Sequence, residues 1–185
     1  MTFRQMAVLT LNLIIGTAAV LPGTARGQEA LPSEYQMKAA YLYNFAKFVE
    51  WPAEALPAGN SELVIGILGQ DPFNGALDST IENKKIERHP LRVRHFKSPR
   101  EAKACHILFI SSSEKKRWQE ISDALADSSV VTVSENWDRF TEGGGMIYFF
   151  MEGRKVCFDI NDEAARKAGL KISSKLMLLR KKPAA

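Results

Sequence analysis

Four near-continuous apolar runs, Leu63 to Leu68, Cys105 to Ile110, Val130 to Val133 and Met146 to Met151, constrain this chain more than any other feature. A strand with one wet face alternates apolar and polar residues. A short apolar run bounded by turn formers instead marks a strand covered on both faces. Covering both faces needs helices, and the segments between the runs supply them. After the last run, Glu152-Gly153-Arg154 reads as a turn, so Lys155 to Ile160 returns antiparallel as a hairpin. This order predicts the α/β class: a three-layer sandwich on a mainly parallel sheet with a C-terminal antiparallel hairpin.

The connecting segments carry their own signals. Ser33-Glu34-Tyr35-Gln36 has the pattern of a capping box. Behind it Met37, Tyr41, Phe45 and Phe48 recur at helical spacing, with Leu42 and Val49 widening the stripe. Lys38, Asn44 and Lys47 are left for the opposite face. Trp51-Pro52 ends the helix, because the residue before proline is pushed out of the α region. Asp71 is placed to cap a short helix running to about Ile81, with Pro72 at its first position. Leu91 to Phe96 alternates like a strand near an edge. Ser98 to Glu101 can open one helical turn, and Ser111-Ser112-Ser113 caps a helix from Glu114 to about Ala126. Asn161 or Asp162 caps a further α segment that ends at Gly169, and Ser173 to Leu179 forms another turn or two.

The N-terminus reads as an export signal. Arg4 is the one charge before Ala7 to Leu21, a stretch broken only by Thr10, Asn12, Gly16 and Thr17. Pro22, Gly23 and the small-residue run Thr24-Ala25-Arg26-Gly27 follow. Charged, apolar and small-residue regions in this order predict a leader over residues 1–27, cleaved near Gly27, and one domain over residues 28–185. The apolar stretch is shorter than the roughly 20 residues that span a bilayer. Without Arg4 and Arg26 the formal charge falls from +4 to +2, too little to point to nucleic acid. Two cysteines, Cys105 and Cys157, cannot build a disulfide scaffold, though an oxidising compartment permits one bridge. Such a bridge requires their two strands to be adjacent and in register, and we expect the thiols to stay unpaired.

Chemistry-bearing motifs are sparse. Loops after buried strands are where open α/β sheets bind ligands, and here they read Gly69-Gln70-Asp71, Ser111-Ser112-Ser113 and Ser134-Glu135-Asn136. Ordinary helix capping accounts for those residue types. His89, His95 and His106 form no H-E-x-x-H, the cysteines no C-x-x-C, and no serine sits in a G-x-S-x-G elbow. No catalytic residue, metal site or cofactor is therefore assigned, and His106, in an apolar strand, is expected to be a satisfied core histidine. Arg92 and Arg94 share one strand face within a basic stretch from Arg88 to Arg100. They could meet an acidic partner, while a solvated edge that resists β-pairing explains the same charges. Trp51 and Trp137, at element ends, are further candidates for a recognition surface.

Tyr35-Gln36-Met37-Lys38-Ala39-Ala40-Tyr41-Leu42-Tyr43-Asn44-Phe45-Ala46-Lys47-Phe48-Val49-Glu50-Trp51-Pro52 closely resembles the opening helix of the YfiR-like family. The resemblance continues through Val64-Ile65-Gly66-Ile67-Leu68-Gly69, Cys105-His106-Ile107-Leu108-Phe109-Ile110 and Phe158-Asp159-Ile160-Asn161, and closes with Ala168-Gly169-Leu170-Lys171-Ile172-Ser173. It implies a periplasmic, non-enzymatic, dimeric repressor that binds the periplasmic sensor region of an inner-membrane diguanylate cyclase and so lowers cyclic-di-GMP. An outer-membrane lipoprotein sequesters the repressor in that scheme. The resemblance also implies a redox role for Cys105 and Cys157, but the family's usual partner for a cysteine at Cys105 lies in the strand around Gly66, where this chain has none. The competing reading is a periplasmic small-molecule binding module with a sensory role, its ligand held at the strand C-termini. An exported hydrolase has no motif behind it.

Overall fold

The computed structural model describes residues 32–59, 61–137 and 140–183. The leader assigned to residues 1–27 lies outside them. Among the described residues no helix is long and apolar enough to cross a membrane.

Helix α1 (Glu34–Phe48) opens the domain with the expected capping box: Ser33 Oγ accepts from Gln36 N–H, and Gln36 Oε1 accepts from Ser33 N–H. It leads directly into β1 (Val49–Glu50). Strand β2 (Leu63–Leu68) follows and is buried throughout. Then come α2 (Ala76–Ile81), β3 (Lys85–Ile86), β4 (His89–Phe96) and, after a 3₁₀ turn over Glu101–Ala104, β5 (Ile107–Ile110). A second 3₁₀ segment, Ser112–Arg117, runs into α3 (Trp118–Leu125) and β6 (Val131–Glu135). The hairpin of β7 (Ile147–Glu152) and β8 (Lys155–Ile160) comes next. It is followed by α4 (Asp162–Lys167), β9 (Lys171–Ile172) and α5 (Ser174–Met177).

Seven strands form one sheet in the order β3-β4-β2-β5-β6-β7-β8. The five central strands are parallel, and β3 and β8 close the two edges antiparallel. Helices α1, α2, α4 and α5 pack on one face through Leu42, Phe45, Leu77, Ala165 and Leu176. Ile121 and Leu125 of α3, with Ala102 of the first 3₁₀ turn, cover the other. The predicted three-layer α/β sandwich with its C-terminal hairpin is the fold. Phe45 anchors it against Phe149 and Phe158 on the hairpin, with ring centroids 5.6 and 5.2 Å away. Burying each such side chain stabilises the fold by roughly 1.5–3 kcal/mol.

Local departures have local causes. Asp71 caps no helix: its carboxylate accepts from Phe73 N–H at 2.7 Å, closing a tight turn. Asn74 and Gly75 then take positive φ, which breaks the helical path and delays α2 to Ala76. The helix expected from Glu114 begins as 3₁₀ and becomes α only at Trp118. The pairing of β1 with β9 was not expected from sequence, since two-residue strands carry no period to read.

Candidate functional site

The loops after β2, β5 and β6 gather at one end of the sheet, and their polar groups are largely engaged with one another. Gln70 N–H donates to Ser113 Oγ at 3.1 Å, and Asp71 Oδ2 lies 2.9 Å from His95 Nε2. Ser111 Oγ accepts from Ser113 N–H. Ser134 Oγ donates to the Ile110 carbonyl across the β5–β6 pair at 2.9 Å. These contacts are the ordinary capping and turn work that the residue types allowed.

Beside them lies a charge cluster that sequence reasoning placed wrongly. Lys38 is 1 % exposed, not on the solvated face of α1, and its ammonium pairs with Glu135 at the end of β6 and with Glu34 one turn back. Glu135 is 2 % exposed, and its second carboxylate oxygen accepts from the Tyr35 hydroxyl at 2.9 Å. Burial, then the bond to Glu135, pushes the Tyr35 phenol above its ordinary pKa, so it stays a donor. The lysine stem crosses apolar surface to reach its partners, which is how a cation enters a core-facing position. The i,i+4 spacing of Glu34 and Lys38 was the available sequence signal, but nothing in the sequence points to Glu135.

Arg92 and Arg94 do lie on one face of β4, exposed, and both bind Glu62: Arg92 Nε and Arg94 Nη2 each stand 3.0 Å from a different carboxylate oxygen. Hydrogen bonds from Arg92 and Arg94 hold the Glu62 carboxyl below its ordinary pKa. Two guanidiniums sharing one carboxylate leave a net positive strand face. Trp137 is buried rather than open to solvent: it is 6 % exposed and packs against Trp118 and Phe140, with centroids 5.5 and 5.1 Å away. Trp51 is half-buried, edge-on to the His106 ring, with its indole N–H turned inside.

Cys105 and Cys157 are both buried free thiols. Cys105 donates to the Ala102 carbonyl at 3.0 Å, and burial pushes its pKa up to about 12, which suppresses the reactive thiolate. His106 is satisfied as expected: Nδ1 accepts from Val64 N–H at 3.0 Å and Nε2 donates to the Ala55 carbonyl at 3.1 Å. Among the described residues no group of His, Cys, Asp and Glu is arranged to hold a metal ion. A cleft of about 410 Å³ opens at the other end of the sheet, before β6 and β7, lined by Trp118, Leu125, Thr132, Met146, Asn161 and Ala164.

Fold and site together define a three-layer α/β domain whose strand-end polar groups hold the fold and whose β4 face leaves cations open to solvent. The chain belongs to the YfiR/HmsC-like family, whose sequence profile matches residues 35–180. That family is a regulatory, non-catalytic one of periplasmic proteins tied to diguanylate cyclase signalling. Direct comparison with curated proteins gave no match.

Proposed function

We propose that this protein is exported with loss of residues 1–27 and works in the periplasm as a homodimeric repressor. It binds the periplasmic sensor region of an inner-membrane diguanylate cyclase and lowers cyclic-di-GMP, and an outer-membrane lipoprotein relieves the repression by sequestering it. Family membership across residues 35–180 carries the reading. An exported domain cannot reach a cytoplasmic catalytic site, so repression requires different affinities for the active and inactive sensor states. The positive face of β4 at Arg92 and Arg94 is the docking surface, and an acidic sensor surface is its complement. Deleting the gene should raise cyclic-di-GMP in cells that hold the cyclase and change nothing in cells without it. Arg92→Glu with Arg94→Glu should fold normally, because exposed pairs contribute little stability, and should lose repression. A double variant that represses normally moves the docking surface elsewhere. No change in cyclic-di-GMP on deletion, under any growth condition, sinks the regulator reading.

The cleft favours a second reading, a sensory module for a small molecule. Its position at the start of β6 and β7 is opposite to the strand C-termini where such a ligand was expected. A ligand there would raise the melting temperature of the wild type, and Ala164→Trp, which fills the cleft, would remove the shift.

A further inference from the structure

The end of the described chain combines two properties that folding does not explain. From Lys171 to Pro183 the sequence carries Lys171, Lys175, Arg180, Lys181 and Lys182 and no acidic residue. All five cations are exposed. Within this stretch Leu176 is 1 % exposed and anchors α5 in the core, while Leu178 and Leu179 are 85 % and 64 % exposed. The two leucines are not on a loose end. Leu178 N–H donates to the Ser174 carbonyl at 3.0 Å and Leu179 N–H to the Leu176 carbonyl at 3.1 Å, so the helical turn holds them outward. Lys181 N–H donates to the Phe158 carbonyl of β8 at 2.8 Å, and its ammonium pairs with Glu152. That contact sets the segment beside the β7–β8 hairpin, whose end adds exposed Met151, Arg154 and Lys155. Among the described residues Leu178, Leu179 and Met151 are the large apolar side chains that stand exposed. Asp162 faces Arg166 at 3.4 Å and Glu163 faces Lys167 at 2.8 Å, while Arg180 and Lys182 line a hollow that they share with Asp159 and Glu142.

We infer that this segment is a docking surface for an anionic phospholipid bilayer, with Leu178 and Leu179 entering the acyl boundary and the surrounding cations meeting lipid phosphates. Protein interfaces are depleted in lysine and enriched in aromatic residues, yet four of these five cations are lysines and no aromatic stands among them. Two outward leucines in a stretch whose charged side chains are all cationic and exposed fit a lipid surface better. Neither feature suffices alone, since stable attachment takes an apolar and a basic signal together. The inference is independent of the cyclase reading.

The test is flotation of protein purified from the periplasm with vesicles of mixed phosphatidylglycerol and phosphatidylcholine, against vesicles of phosphatidylcholine alone. Binding is expected to the anionic vesicles only, and should weaken as salt rises above about 0.15 M. Each cation near the surface is worth about fivefold in affinity, so Lys175→Gln, Arg180→Gln and Lys182→Gln together, which leave the Lys181–Glu152 pair in place, should cost roughly a hundredfold. Leu178→Ser with Leu179→Ser should lower binding at least about tenfold while leaving the melting temperature unchanged, since both side chains are already in water. No flotation with anionic vesicles overturns the inference. So does binding that survives both variants, or equal binding to neutral vesicles. A leucine variant that instead dissociates a dimer without any vesicle binding by the wild type gives the surface to a second copy of the chain.

Discussion

Lys38 is held from two sides by carboxylates, and removing it would leave Glu135 charged and buried with only the Tyr35 hydroxyl for company. Breaking one side of a buried pair costs about 3–5 kcal/mol, whereas replacing both sides by apolar groups of similar volume is often neutral. Lys38→Met should therefore lower unfolding stability in urea by about that amount, and Lys38→Met with Glu135→Met should recover most of it. A double variant as unstable as the single one would mean that the pair is not the cause. His106 gives a pH signature. Burial holds its pKa below the ordinary value of 6.5 by penalising the charged ring, and Nδ1 of the neutral ring accepts from Val64 N–H. As pH falls through about 6.5 the unfolded chain takes up this proton while the folded one resists. The stability it contributes is thus complete above that pH and declines below it. His106→Gln should show a shallower fall in urea midpoint between about pH 7 and pH 5 than the wild type. Parallel curves would assign the slope to other groups.

Helix α1 and the apolar strands were legible because each carries a signal within its own few residues. The capping box at Ser33 to Gln36 and the apolar runs of β2, β5 and β7 are such signals, and they fix both fold class and layer order. The surface was less legible. Trp137 and Lys38 are read from type and spacing, and both are buried by partners from other elements: Trp118 of α3, with nearby Phe140, around the one, and Glu135 of β6 against the other. A tryptophan at a strand end has the same local pattern whether it faces solvent or closes a loop. Here Trp137 closes one, together with Trp118, whose indole N–H donates to the Gly143 carbonyl at 3.0 Å. Trp137→Ala should accordingly cost about 3–5 kcal/mol of stability by emptying the cluster. Thermal unfolding measures it, and a normal melting temperature would show that the loop packs without the ring.

Strand order decides the chemistry of the two thiols for the molecule as a whole. The two segments that carry Cys105 and Cys157 are separated by β6 and β7, three strand spacings or about 14 Å, which is beyond the roughly 7 Å that a disulfide allows between Cα atoms. Both thiols should label fully in protein denatured without reductant, and protection would place the strands in another order. The same topology offers Cys105 a different neighbour. A Cβ on Gly66 would lie 2.9 Å from Cys105 Sγ, close to the separation of about 3 Å between a Cβ and the far sulfur of a disulfide. It would also lie 2.7 Å from Phe96 Cε2 and 3.0 Å from Leu108 Cδ1, so the ring of Phe96 must give way. Gly66→Cys with Phe96→Leu should then oxidise to a bridge with Cys105. In the chain-entropy view, closing a loop of roughly 40 residues stabilises by about 4 kcal/mol, less whatever strain remains beside Leu108. Intact mass under denaturing, unreduced conditions should fall by two hydrogens, and the melting temperature should rise over the reduced form. An oxidised form that melts lower than the reduced one would show that strain at Leu108 outweighs the constraint on the unfolded chain. A variant that stays reduced would place Cys105 Sγ away from the β2 backbone.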